Sequence, residues 1–134
     1  MANVRSGRIK YKFIGHSDDV SGISPSAEGQ TLYTFSWDGS ARAWYVETGK
    51  QVMQFTGHSD QVTSHIISID GKRLYTCSDD NTIRAWNVEN GKEIWRFNGY
   101  PSSVNGMVLS PDGRILYSLS YDKTARASRM EGRK

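Results

Sequence analysis

Histidine, serine and aspartate stand at His16, Ser36 and Asp38, and the same three types return at His58, Ser78 and Asp80. In one arrangement these residues perform acyl transfer: a serine attacks, a histidine within hydrogen-bond reach takes its proton, and a carboxylate orients the imidazole. They serve equally well as a closed hydrogen-bonded network that holds a fold together. The spacing favours the second use, because each residue of the later set follows its counterpart by the same 42 positions. One enzyme site is rarely stamped into successive units, so the duplicated set reads as structural and the chain as non-enzymatic. His16, His58 and His65 are dispersed and Cys77 is the only cysteine, so no metal centre is expected. Glycine-rich phosphate loops are absent, and nothing asks for a cofactor.

The elements that must position these residues carry the same period. Leu32 and Leu74, Trp44 and Trp86, and Gly49 and Gly91 are each 42 residues apart, and residues 15–56 match residues 57–98 at 20 of 42 positions without a gap. The register runs into a third copy through Tyr100, Leu116, Asp122 and Ser128. A period of this size marks a repeat architecture, in which one unit cannot bury its apolar face alone and stacks on its neighbours. Within the second copy, strands are expected at 62–69, 73–78, 82–87 and 93–98, divided by Asp70-Gly71, Asp79-Asp80-Asn81 and Asn90-Gly91. Glycine accepts positive φ and Asp or Asn bonds the local backbone, so these are turn signals, and no stretch repeats its apolar residues at helical spacing. The fold class is all-β.

Met53 and Phe55, and Trp95 and Phe97, alternate on the closing strand of their units, and the same register places Tyr11 and Phe13 in an equivalent strand at the start. The expected organisation is a closing strand of a preceding unit at 8–14, a first repeat at 15–56, a second at 57–98 and an incomplete third at 99–134. One strand too many at the front then matches one missing at the back.

Gly-His, Asp-Gly before a strand, and Ser-Asp-Asp-Asn-Thr-Ile-Arg-Ala-Trp-Asn together resemble the WD-repeat (tryptophan-aspartate) β-propeller family over residues 7–134. The resemblance implies that each four-stranded antiparallel sheet is a blade set radially around a channel. It also implies that the Gly-His histidine, a strand hydroxyl, the turn aspartate and the tryptophan bond to one another. By position those sets are His16, Ser36, Asp38 and Trp44, and His58, Ser78, Asp80 and Trp86, with Thr34 and Thr76 as competing hydroxyls on the same strand faces. In the third copy Tyr100 replaces the histidine and Ser128 the tryptophan. Partner-contacting positions implied by the resemblance fall on Trp37, Asp79 and Tyr121, on Asp19, Gln61 and Ser103, and on Ser21, Thr63 and Asn105. Trp37 and Tyr121 are the informative members, because an aromatic residue at a turn tip is poorly placed to serve the core and is favoured at interfaces.

A propeller needs about four to eight blades, and this chain offers three. An open blade face and an unpaired strand edge both invite another chain. The leading strand, with Ile9, Tyr11 and Phe13 on one face, is therefore expected to complete the third blade of another copy. Two chains would give six blades and three would give nine, so a homodimer is favoured over a homotrimer. The function implied is a self-assembling protein-interaction scaffold that takes a peptide or protein at its rim loops. The alternative is a purely structural or engineered assembly, or a fragment of a longer propeller, with no ligand of its own.

Composition narrows the partners. At 134 residues and 37% hydrophobic, with a net charge of +3, the chain has the size of one domain, and its basic residues are scattered. A nucleic-acid groove is not favoured, since basic and aromatic residues form no dedicated cluster. No long apolar run marks a signal peptide or membrane span, and a single cysteine fits a reducing compartment, the cytoplasm.

Overall fold

The computed structural model describes residues 12–130. Eleven strands and no helix occupy that span, gathered into three antiparallel sheets. The first contains β1 (Val20–Pro25), β2 (Thr31–Ser36), β3 (Ser40–Tyr45) and β4 (Lys50–Thr56), in sequence order. The second contains β5 (Val62–Ile67), β6 (Arg73–Ser78), β7 (Ile83–Asn87) and β8 (Glu93–Phe97), again in order. The third has three strands, β9 (Val104–Leu109), β10 (Ile115–Ser120) and β11 (Ala125–Arg129).

Each sheet is a run of hairpins because its turns demand it. Gly29, Gly71 and Gly113 occupy one turn at φ near +75°, and Gly39, Asn81 and Lys123 occupy another at φ of 86°, 73° and 72°. Left-handed backbone suits glycine and is tolerated by asparagine, so the sequence pins the register where it places them. At Gly39 there is a second reason: a Cβ there would stand 2.8 Å from the carbonyl oxygen of His58 in the next sheet.

The core lies between sheets. Tyr33, Phe35, Ala41, Ala43 and Phe55 of the first sheet pack against Val62, Leu74 and Trp86 of the second. Tyr75, Cys77, Ile83 and Ala85 of the second pack in the same way against Val104, Met107 and Leu116 of the third, joined by Tyr100 from the segment before β9. Val62, Leu74, Cys77 and Val104 are wholly buried in these seams, and burial of one such side chain contributes about 1.5–3 kcal/mol. Each sheet thus has a leading face toward its predecessor and a trailing face toward its successor. Among the described residues the three sheets do not close a ring: Val20 and Ile23 on the leading face of the first sheet, and Tyr117 and Leu119 on the trailing face of the third, are exposed.

Of the expected strand at 8–14, Ile9 and Tyr11 lie outside the described residues. Residues 12–14 pair with no strand, yet Phe13 packs on Trp44 with ring centroids 5.8 Å apart. Phe55 packs on Trp86 at 6.0 Å, so Phe13 occupies the position that a closing strand gives its aromatic residue against the following sheet.

Candidate functional site

Two copies of one polar relay cross the first and second sheets. The indole Nε1 of Trp44 donates to Thr34 Oγ1 at 2.8 Å, that hydroxyl meets His16 Nε2 at 2.7 Å, and His16 Nδ1 meets Asp38 Oδ2 at 2.9 Å. Trp86, Thr76, His58 and Asp80 repeat the same contacts at 2.8, 2.7 and 2.9 Å. An ionised carboxylate only accepts, so Nδ1 carries the proton toward the aspartate, and in the neutral imidazole Nε2 then accepts from the threonine, which in turn accepts from tryptophan. Every donor points the same way along the relay. A satisfied buried network rigidifies a fold, whereas a half-satisfied one costs stability.

The hydroxyl in the relay is the threonine. Ser36 and Ser78, placed in these sets by position, touch neither histidine nor tryptophan. Ser36 Oγ donates to the carbonyl of Asp19 at 2.8 Å and accepts from the Asp38 amide at 3.0 Å; Ser78 does the same with the Asp60 carbonyl and the Asp80 amide. Thr34 and Ser36 share a face of β2, but the indole reaches only the residue paired more deeply along β3. Thr34 and Thr76 are buried, so the histidine has no exposed nucleophile beside it. This constellation is closed to a substrate.

The glycine of Gly-His has a steric cause. A Cβ on Gly15 would lie 2.9 Å from the Trp44 ring and 2.7 Å from Arg42 Nη1, and one on Gly57 would lie 3.0 Å from Trp86 and 2.5 Å from Arg84 Nη1. Arg84 is itself buried, bonded through Nε to Thr82 at 3.2 Å, through Nη1 to Glu93 at 3.1 Å and through Nη2 to Asp80 at 3.5 Å.

Burial alone would push the Asp38 and Asp80 carboxyls up. Hydrogen bonds outweigh it and hold both well below the usual carboxylate range: Ser40, His16 and Ser17 surround Asp38, and His58, Thr82 and Ser59 surround Asp80. The hydroxyl two residues after each turn aspartate, at Ser40, Thr82 and Thr124, is a donor that residue types alone did not single out. Its recurrence at the repeat period is the signal that could have found it.

The third copy rebuilds the relay from other parts. The Tyr100 hydroxyl bonds Ser118 Oγ, at the position of Thr34 and Thr76, and Arg126 lies 4.4 Å from the Tyr100 ring centroid while pairing with Asp122 at 3.0 Å. Ser128, at the tryptophan position, leaves the relay one member short.

The positions expected at the rim divide into two groups. Trp37, Asp79 and Tyr121 donate their amides to the carbonyls of Asp19, Gln61 and Ser103, each at 3.0 Å, so six of these residues sit together as three pairs along one rim. Trp37 is 43% and Tyr121 67% exposed. The other three, Ser21, Thr63 and Asn105, are bulge residues, each skipped in the pairing of its sheet's first strand with the second. A bulge re-aims its side chain, and here it aims between sheets. Ser21 Oγ donates to the Val62 carbonyl at 3.1 Å and Thr63 Oγ1 to the Val104 carbonyl at 2.6 Å. Those two hydroxyls bond across the seams, while Ser21 remains exposed and Thr63 half-buried.

No group of three or more histidine, cysteine, aspartate or glutamate residues suited to a metal occurs among the described residues. Nor is any helix there long and apolar enough to cross a membrane.

Comparison with known proteins adds a family and two partial relatives. The family profile described as WD domain, G-beta repeat matches residues 7–45, 49–87 and 91–127. Over 45 residues, 34% of this chain, the sequence is 44% identical to the ribosome biogenesis protein WDR12 homolog of Oryza sativa subsp. japonica. Over 50 residues, 37% of this chain, it is 42% identical to THO complex subunit 6 of Arabidopsis thaliana. The matched segments span only 10% and 14% of those two relatives.

Proposed function

This chain belongs to the WD-repeat family, and we propose on that premise that it is a non-enzymatic protein-interaction scaffold that assembles with itself into a closed propeller and takes a peptide or protein at its rim. WD repeats typically mediate protein interaction, and the relatives above are named for ribosome biogenesis and for a multisubunit complex. The observation that carries the rim reading is the pair Trp37 and Tyr121, two large aromatic side chains exposed at the same turn of different blades. The backbone of each is fixed by a bond to the carbonyl of Asp19 or Ser103, so the turn that carries it need not be ordered on binding. Asp19, Gln61 and Asp79 add acceptors around them, which suits a peptide bearing donors and an apolar anchor. Aromatic anchors of this kind concentrate binding energy.

Self-assembly is supported by the two uncovered faces, one leading and one trailing. Two chains would bring six blades and three would bring nine, and the homodimer is the favoured form. The compartment we propose is the reducing cytoplasm, in keeping with the one cysteine being Cys77, buried in the seam with its thiol pushed up to about 11 by that burial.

Panning a random peptide library on the wild-type protein tests the rim. Selected peptides should lose at least about tenfold in affinity for Trp37→Ala or Tyr121→Ala, with melting temperatures unchanged. Failure to select any peptide would leave a purely structural assembly as the function, and selected peptides that bind both variants as tightly as wild type would overturn the role of these two residues at the rim.

A further inference from the structure

The bulge residues define a series with one member left over. In the first seam Ser21 reaches the carbonyl of Val62, and in the second Thr63 reaches the carbonyl of Val104. Asn105 holds the same bulge position in the third sheet, and its side-chain NH2 is the donor that stands where those two hydroxyls stand. The acceptors in the series stand 42 residues apart, at Val62 and Val104, and the same step back reaches Val20. Val20 is 53% exposed at the start of β1.

The apolar parts of the seam follow the same rule. Phe35 on a trailing face receives His65 on a leading face, ring centroids 3.8 Å apart, and Cys77 shares its buried cluster with Met107. The third trailing face offers Leu119, 48% exposed, beside Tyr117 and Ala125 in a shallow apolar hollow. The leading residue equivalent to His65 and Met107 is Ile23, 63% exposed. One chain therefore displays both halves of a seam it has already formed twice.

We infer that the trailing face of the third blade in one copy receives the leading face of the first blade in a second copy, with Ile23 on Leu119 and the Asn105 amide donating to the Val20 carbonyl. This rests on the self-assembly proposed above and specifies its contacts. The occupant is a second copy because the leading face that continues the series is present on the same chain. The contact is head to tail, so the two copies of a dimer share two identical seams. Asn105 in place of the Ser or Thr of the internal seams gives this one an amide of longer reach, and distinguishes the seam between molecules from those within them.

Cysteine pairing tests the contact on the full chain. In Ile23→Cys/Leu119→Cys, mild oxidation should give a reducible band at twice the chain mass or above, while either single variant and wild type should stay at one chain mass. Cys77 is buried and does not compete. A band from Leu119→Cys alone would mean that two trailing faces meet and would overturn the inference. Light scattering on wild type separates the two levels of the claim: an assembled wild type without cross-linking overturns this contact and leaves self-assembly standing, whereas a monomeric wild type removes both. Asn105→Thr should assemble as wild type does. Asn105→Asp, which sets a carboxylate against a carbonyl, should raise the dissociation constant about tenfold or more, and an unchanged constant would overturn the role of Asn105.

Discussion

The imidazole of His65 lies flat on the ring of Phe35, centroids 3.8 Å apart and planes 10° from parallel. Burial in the seam between the first two sheets lowers the pKa of His65 from its ordinary 6.5. The folded state then binds fewer protons than the unfolded state as pH falls below that value, so stability present above about pH 6.5 is lost on acidification. Urea midpoints at pH 7.5 and pH 5 should fall further for wild type than for His65→Met, which installs the residue found at the equivalent Met107. Equal losses would remove His65 as the source.

Thr76 stands between two buried ring nitrogens, and its removal orphans both. Thr76→Val should cost roughly 2–4 kcal/mol in urea unfolding, since an unsatisfied buried polar group costs about 1–3 kcal/mol. Thr76→Ser keeps the hydroxyl and should lose much less. A valine variant as stable as the serine variant would show that the relay contributes nothing net.

Asp80 supplies an acid response of its own. Its carboxyl is held below the ordinary value of 3.8 by His58, Thr82 and Ser59, so its contribution is full above that pH and is lost as pH falls through the lower folded value. Between about pH 4 and pH 2 the wild-type urea midpoint should therefore drop more steeply than that of Asp80→Asn. Parallel curves would place the acid response elsewhere.

Gly29 and Gly39 separate backbone conformation from crowding. Both have positive φ, but a Cβ on Gly29 meets nothing within 4 Å, whereas one on Gly39 meets the His58 carbonyl at 2.8 Å. Gly29→Ala should cost about 1–2 kcal/mol, the penalty of left-handed backbone. Gly39→Ala should cost clearly more and weaken the first seam. Equal melting losses would mean that the second sheet yields without resistance.

Much of this was legible because the repeat states it twice. The turn glycines and the four-strand order follow from spacing, since a feature copied at 42 residues must fit both copies, whereas the bonded sets around Asp38 and Asp80 came from the resemblance to WD repeats. The choice between Thr34 and Ser36 was not legible: strand periodicity puts both on one face, and only the pairing of β2 with β3 decides which meets the indole. The bulges were hidden for a different reason. Ser21, Thr63 and Asn105 are ordinary strand residues by type, and nothing in Val-Ser-Gly, Val-Thr-Ser or Val-Asn-Gly announces a skipped pairing. Phe13 was placed by its register, yet its contact with Trp44 in the absence of strand pairing needed coordinates.

The second sheet alone is flanked on both sides within one chain, clamped through Ser21 at one seam and Thr63 at the other. Local opening draws on the regions with the least packing around them, so in a copy dissociated from its assembly amide exchange should be slowest in β6 and β7 and fastest toward the two outer sheets. Unfolding would then peel inward, and the chain would keep a protected nucleus after its flanks had loosened.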